Sequence, residues 1–256
     1  ALAEQHPGLP QVACFDTAFH ASQPAVATRL PIPQHYHDQG IRRYGFHGLS
    51  YEYIVSELQQ AEGGIPAKTL VAHLGNGASL CAMQAGKSVA TSMGFSTLDG
   101  LLMGTRCGMI DPGVLLHWLR EGRGEPELTD LLYNQCGLKG VSGLSSDMRI
   151  LLASDEPAAK LAVDQFCYSL QRQIGSHAAA LEGLECLVFT GGIGEHAAPV
   201  REQVCAHLQW LGVRLDDEAN RQNARLISTP DSQVRVQVIP ANEELVIARH
   251  TLETLA

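Results

Sequence analysis

Thr69-Leu70-Val71-Ala72-His73-Leu74-Gly75-Asn76-Gly77-Ala78-Ser79-Leu80-Cys81-Ala82-Met83 is the stretch that decides how this chain reads. An apolar run enters a turn made of two glycines and an asparagine, and a second apolar run leaves it. Gly75 and Gly77 permit positive φ and close backbone approach, so several N–H groups can point at one anion. Such a hairpin suits nucleotide phosphates. Asn-Gly between apolar runs is also the ordinary signal of a plain β-hairpin, so this segment alone leaves both readings open.

The surroundings of that hairpin set the fold class. Strands are expected at Thr69–His73, Ser79–Met83 and Ser88–Thr91, with Gly86-Lys87 as the second hairpin turn. Upstream, a strand Val12–Phe15 ends on Asp16-Thr17-Ala18-Phe19-His20. A proline-rich irregular stretch then leads to Gly40, and Ser50 caps a helix over 50–61, closed by Gly63-Gly64. Downstream, a glycine-rich loop (93–108) precedes a helix whose first position is Pro112, and further helices are expected at 127–135, after Asp147, and at 158–182. Leu187–Thr190 is a buried strand running into Gly191-Gly192-Ile193-Gly194-Glu195. A helix from Pro199 to Leu211, a strand over 234–240 and a terminal helix after Asn242-Glu243-Glu244 complete the chain. A hairpin meander followed by alternating helices and strands predicts an α/β layered domain with a mixed sheet.

Composition excludes several functions. At 256 residues, 45% hydrophobic and 18% charged, the chain is an ordinary globular protein able to bury a sizeable core. A net charge of −9 without any lysine or arginine block argues against nucleic acid and membrane surfaces as partners. No apolar stretch reaches membrane-spanning length, and the N-terminus lacks a signal pattern. Seven cysteines without a C-x-x-C pair read as reduced core thiols in a cytoplasmic protein. Eleven histidines show no zinc-like spacing, and His35 and His37 read as solvated side chains of a proline-bounded loop.

Apolar strands end in polar or glycine-rich turns at Asp16, His73–Gly77, Gly191–Glu195 and Asn242–Glu244, and ligands of layered α/β folds sit outside strand ends. Arg42-Arg43-Tyr44-Gly45-Phe46-His47-Gly48 is either a solvated basic loop or a histidine presented between glycines to a phosphoryl oxygen. Gly104-Thr105-Arg106-Cys107-Gly108 displays one arginine from a glycine-rich loop. Its planar, permanently charged fork is what phosphoryl transfer needs.

Together, Phe15–His20, Arg42–Gly48, His73–Ser79, Met103-Gly104-Thr105-Arg106, Gly191–Glu195 and Asn242-Glu243-Glu244 resemble acetate kinase and its relative propionate kinase, in register over nearly the entire chain. The resemblance implies a ribonuclease-H-like lobe of the actin-like superfamily, with a mixed sheet flanked by helices. It implies reversible transfer of phosphoryl between ATP and a short carboxylate (acetate or propionate, with acetyl phosphate as product), dependence on Mg2+, and a homodimer. Carried over by motif, Asp16 is the active-site aspartate, and His47 and Arg106 are transition-state stabilisers. By the same resemblance, His73, Leu74, Gly75, Asn76, Gly77, Asp147, Met148, Arg149, Gly191, Gly192, Ile193, Gly194 and Glu195 look like contacts to the ATP or ADP. Phe46 falls where the family lines the substrate's alkyl pocket, and Glu243 looks like the family's magnesium-site glutamate.

The chain departs from the family in three places. His196 stands where asparagine commonly follows the Gly-Gly-Ile-Gly-Glu motif, and Ser96-Thr97 replaces a Thr-Pro pair near the alkyl pocket. The family's Asn-x-Gly-Ser-Ser-Ser-x-Lys phosphate loop and its substrate-carboxylate arginine are absent. The expected organisation is therefore a remnant strand (1–15), a C-terminal nucleotide-binding lobe (16–240) and a closing helix (241–256) that returns to a missing N-terminal lobe. Two alternatives follow: a lobe that holds ADP without turnover, and an incomplete lobe that self-associates through Leu245, Val246 and Ile247.

Overall fold

The computed structural model describes residues 2–61 and 63–256; Ala1, where the expected 1–15 segment opens, lies outside them. Five strands form one sheet in the order β3-β2-β1-β4-β5: β1 Lys68–Leu74, β2 Ala78–Gln84, β3 Lys87–Thr91, β4 Cys186–Thr190 and β5 Arg235–Val238. The first three are an antiparallel meander, whereas β4 runs parallel to β1 and β5 parallel to β4. This is the expected mixed sheet, and its strands fall within a residue or two of the segments read from the apolar runs.

Side-chain alternation on the sheet splits the core into two layers. Leu70, Ala72, Leu74, Leu80, Leu187 and Phe189 face a long helix, Pro157–Ala180, through Phe166, Leu170 and Ile174, joined by Val200 and Val204 of the helix Ala198–Ala206. Val71, Cys81, Met83 and Val188 face the opposite way, onto Tyr51, Ile54 and Leu58 of the helix Gly48–Gln60. The terminal helix, Glu243–Leu255, packs on that same 48–60 helix, where Val246 is buried and His250 meets Glu52 at 2.6 Å. Leu245 and Ile247 remain partly exposed.

Several local expectations need correcting. Residues 11–15 form no strand and Phe15 is exposed: none of the described strands pairs with them. Ser50 does not cap the 48–60 helix. The N-cap is His47, in a left-handed conformation (φ 59°, ψ 27°), and Ser50 is buried in the first turn. The β2–β3 turn is centred on Ala85-Gly86, both at positive φ, one residue earlier than expected. Helix 127–135 is an α-helix at Glu125–Asp130 followed by a wider turn at Leu131–Gln135, and 199–211 ends as α-helix at Ala206. His35 and His37 lie on a short helix, Gln34–Asp38.

Candidate active site

Parallel pairing of β1, β4 and β5 brings their carboxyl ends to one edge: His73 lies opposite Thr190, and Phe189 opposite Val238. The residues that follow each strand, Gly75–Gly77, Gly191–Glu195 and Ala241–Glu243, therefore converge there, as ligand-binding loops do in open α/β sheets. Three of the sequence's four separate turn signals are brought to one edge by this register.

The Gly75–Gly77 turn is closed by Gly75 N–H donating to Gly77 O at 2.9 Å. Neither glycine adopts positive φ, contrary to expectation. They serve close approach instead. A Cβ on Gly77 would lie 3.3 Å from His47 Nε2 and 3.6 Å from Arg106 Nη1. Gly104 N–H donates to Asn76 O at 3.0 Å, and a Cβ at Gly104 would overlap the Asn76 side-chain oxygen. The arginine loop is thus fastened to the strand turn. Its other side is held by Cys136 N–H to Thr105 O (2.9 Å) and Leu138 N–H to Met103 O (2.8 Å). Arg106 itself donates to Thr97 O at 3.3 Å and lies 5.9 Å from the Tyr133 ring centroid, without a carboxylate partner among the described residues. A backbone carbonyl receives that bond, so the Thr97 substitution leaves it in place.

His47 and His73 stack at 4.2 Å, 20° from parallel. Two stacked cations would repel. Burial, with Arg106 beside it, lowers His47 to about 4, while burial, with His47 beside it, lowers His73 to about 3. Both rings are neutral near pH 7. Burial also raises Tyr51, so its phenol stays protonated, and its hydroxyl bonds Ser79 Oγ. Ser79 Oγ lies 2.8 Å from His47 Nδ1. The phenol proton needs an acceptor, so Tyr51 donates to Ser79 and Ser79 donates to Nδ1. The His47 proton is then on Nε2, the nitrogen facing Gly77 and Arg106. Ser50 Oγ similarly orients His73 through Nδ1 at 2.8 Å.

A testable consequence is a pH dependence of stability. His47 and His73 have folded pKa values below their ordinary 6.5, so the unfolded chain binds more protons once pH falls through 6.5. Their stabilising contribution is fully present above 6.5 and is lost as pH falls toward 4 and then 3. The urea midpoint should drop between pH 7 and pH 5, and His47→Gln should flatten that slope. An equal slope in the variant would contradict the assignment.

Asp16 is tied to this cluster by Gly48 N–H donating to its carbonyl at 3.0 Å, an approach that a Cβ on residue 48 would block. Leu49 N–H lies 3.5 Å from its carboxylate. Glu243, in the first turn of the terminal helix, is raised by burial and by the nearby Asp16 charge. These two hard oxygen donors from separate elements suit a magnesium ion that keeps waters and phosphate oxygens as its other ligands. Among the described residues no three His, Cys, Asp or Glu side chains could enclose a metal by themselves.

Beside this cluster opens a cleft of about 520 Å³, lined by Gly75, Asn76, Asp147, Arg149, Gly192 and His196 among others. Asp147 caps the helix Met148–Leu152 and grips Arg149 (2.6 Å to Nη2), which with the Arg149 amide holds its carboxyl at about 2. Gly191–His196 is a helix, not the expected turn. Gly192 and Ile193 reach the cleft, whereas Leu74, Gly191 and Gly194 are buried behind it. Glu195 turns away and accepts Ala241 N–H at 2.9 Å, joining the β4 loop to the Glu243 loop. Phe46 packs partly buried against the larger core. Sequence reasoning placed His20 and Ser79 inside motifs without giving them a role, and passed over Tyr51 and Arg201; all four orient the others. Their partners lie up to dozens of positions away, so no local pattern shows what they hold.

Loops from one sheet edge thus meet beside one cleft, and similarity to known proteins gives the family. A sequence model of the acetokinase family matches residues 1–249. An acetate kinase of Rhodopseudomonas palustris is 56% identical over 98% of this chain, and one of Rickettsia prowazekii is 45% identical over 98%. The chain spans 64% and 66% of those two relatives. Its fold matches a Porphyromonas gingivalis acetate kinase with a TM-score of 0.93 at 37% identity, over 100% of this chain and 66% of that one. It matches a Francisella tularensis propionate kinase at 0.92 and 39%, over 97% and 66%. The fold is the ribonuclease-H-like, actin-like one. The chain belongs to the acetokinase family. No described helix is long and apolar enough to cross a membrane.

Proposed function

We propose that this lobe forms one wall of a cleft performing acetate kinase-type chemistry, the reversible transfer of phosphoryl between ATP and a short carboxylate. The observation that carries the reading is the convergence of a carbonyl-held Arg106, a neutral Nε2–H His47 and the Asp16–Glu243 pair beside a cleft of about 520 Å³.

Acetate is ionised at neutral pH, its carboxyl pKa being about 4, so no base is required to make the nucleophile. Arg106 neutralises charge growing on the equatorial phosphoryl oxygens, and the His47 Nε2–H donates to one of them. Asp16 and Glu243 would hold Mg2+, which supplies charge neutralisation on the phosphates. Gly75–Gly77, Asp147–Arg149 and Gly191–Glu195 would carry the nucleotide, with Phe46 against the alkyl end of the substrate. In the domain reading, residues 16–240 form the nucleotide-binding lobe, and the 241–256 helix closes it toward a further half-lobe. The homodimer, a cytoplasmic site and acetate or propionate as substrate belong to the same proposal. One methylene changes binding by only about 1–3 kcal/mol in an apolar pocket, so both acids are expected to react, at different rates.

The test is acetate-dependent ADP formation from Mg-ATP, run on this chain and on a full-length family enzyme. Turnover near the control means the cleft works with the residues present. ADP binding without turnover means a one-sided nucleotide lobe, the second reading. Neither turnover nor binding overturns both.

A further inference from the structure

His20 is 2% exposed, and nothing in the transfer chemistry uses it. Its Nε2 lies 3.0 Å from Phe46 O and its Nδ1 lies 2.9 Å from Ser88 Oγ. A carbonyl can only accept, so Nε2 carries the proton. Nδ1 then accepts from the Ser88 hydroxyl, which in turn accepts from Gln23 Nε2 at 2.9 Å. Every hydrogen in the chain Gln23–Ser88–His20–Phe46 has one direction.

The bonded carbonyl belongs to the peptide unit that enters His47. His47 sits at φ 59°, a left-handed conformation that strains a non-glycine residue and persists only where the surroundings fix it. The fixings are visible. Gly48 N–H is tied to Asp16 O on one side, and Phe46 O is tied to His20 on the other. Gly45 is at φ 78°, and a Cβ there would lie 2.5 Å from the His20 ring, so glycine at 45 is what lets the imidazole reach Phe46. Asp16 and His20 flank one short turn, so a single segment grips the 45–48 loop on both sides of His47.

We propose that His20 is a positioning residue: by clamping the Phe46 carbonyl it aims Phe46 and the His47 imidazole into the transfer site. The role rests on the proposed phosphoryl transfer, but the clamp itself can be read without turnover. Gln places its side-chain nitrogen near the position of His Nε2 and keeps the donor to Phe46. Asn reaches only as far as Nδ1, keeping a bond to Ser88 and losing Phe46.

The experiment records 15N-edited imidazole spectra of this chain at pH 7, together with acetyl phosphate–dependent turnover in whichever form of the enzyme is active. In the unmodified chain His20 and His47 should both be neutral Nε2–H tautomers. In His20→Gln the His47 pattern should be retained, with kcat within about threefold. In His20→Asn the His47 pattern should shift, and kcat should fall about 10²-fold, the scale of a misplaced catalytic group, with the KM for ADP little changed. A merely structural role predicts equal effects of both variants and no kcat–KM split. An Nδ1–H tautomer of His20 in the unmodified chain, or an unchanged His47 spectrum in a folded His20→Asn, overturns the clamp; the first needs no variant to fold. A displaced His47 with unchanged kcat would keep the clamp and overturn the transfer role of His47.

Discussion

Arg106→Ala lowers turnover by about 10³-fold or more, while ADP affinity stays within a few-fold of the unmodified protein. The expectation follows from the way Arg106 is held. Its guanidinium has a backbone carbonyl and an aromatic ring as neighbours and, among the described residues, no carboxylate, so its charge is left available for phosphoryl oxygens. The cleft lining, in contrast, comes from Gly75, Asn76, Asp147–Arg149, Gly192, Ile193 and His196 among others, and does not include Arg106. Arg106→Lys should restore little, since an ammonium lacks the planar fork. Initial rates with ADP and acetyl phosphate, and calorimetric titration with ADP, separate the two quantities. Parallel losses in rate and affinity would reassign Arg106 to nucleotide binding.

Arg201→Met should destabilise the fold by about 3–5 kcal/mol, the largest stability loss expected of a single polar side chain here. Arg201 is fully buried, yet among the described residues no carboxylate meets it. It donates from Nη1 to Gly194 O (2.8 Å) and Glu195 O (3.0 Å), from Nε to Asn220 Oδ1 (2.8 Å), and from Nη2 to Asn220 O (2.7 Å) and Asn223 Oδ1 (2.6 Å). Burial lowers its pKa to about 10, which still leaves it charged at neutral pH. The cation sits at the carboxyl end of the Gly191–His196 helix, where exposed carbonyls favour positive charge. Methionine fills the volume but orphans those acceptors. Urea unfolding at pH 7.5 measures the loss; a change under about 1 kcal/mol would mean that water replaces the guanidinium there.

The two expectations mark what the sequence could and could not disclose. Strand positions were legible because apolar runs of about five residues bounded by glycine or polar turns have few other solutions, and β1 to β5 follow them closely. The 11–15 run looked equally strand-like, but a strand needs a partner, and partners are not local. The site residues were legible as motifs: glycines before and after His47, Arg106 in a small-residue loop, Glu243 after a strand. What those motifs need in order to act was hidden. The His47 tautomer depends on Tyr51 and Ser79, its backbone on His20, and the Gly191–His196 helix on Arg201. These contacts exist only after the sheet has brought distant segments to one edge. Of the positive φ and close approach that Gly75 and Gly77 permit, the fold uses only the approach, and at Gly77 the groups that come close are His47 and Arg106.

On the proposed function, the carboxyl edge of β1, β4 and β5 is a nucleotide site. Calorimetric titration of this chain with Mg-ADP tests it most directly, alongside Gly192→Trp, whose side chain would fill the cleft from a position where a Cβ meets nothing within 4 Å. The account predicts saturable one-to-one binding by the unmodified chain and none by the folded variant. Binding of equal strength in both, or in neither, would contradict it.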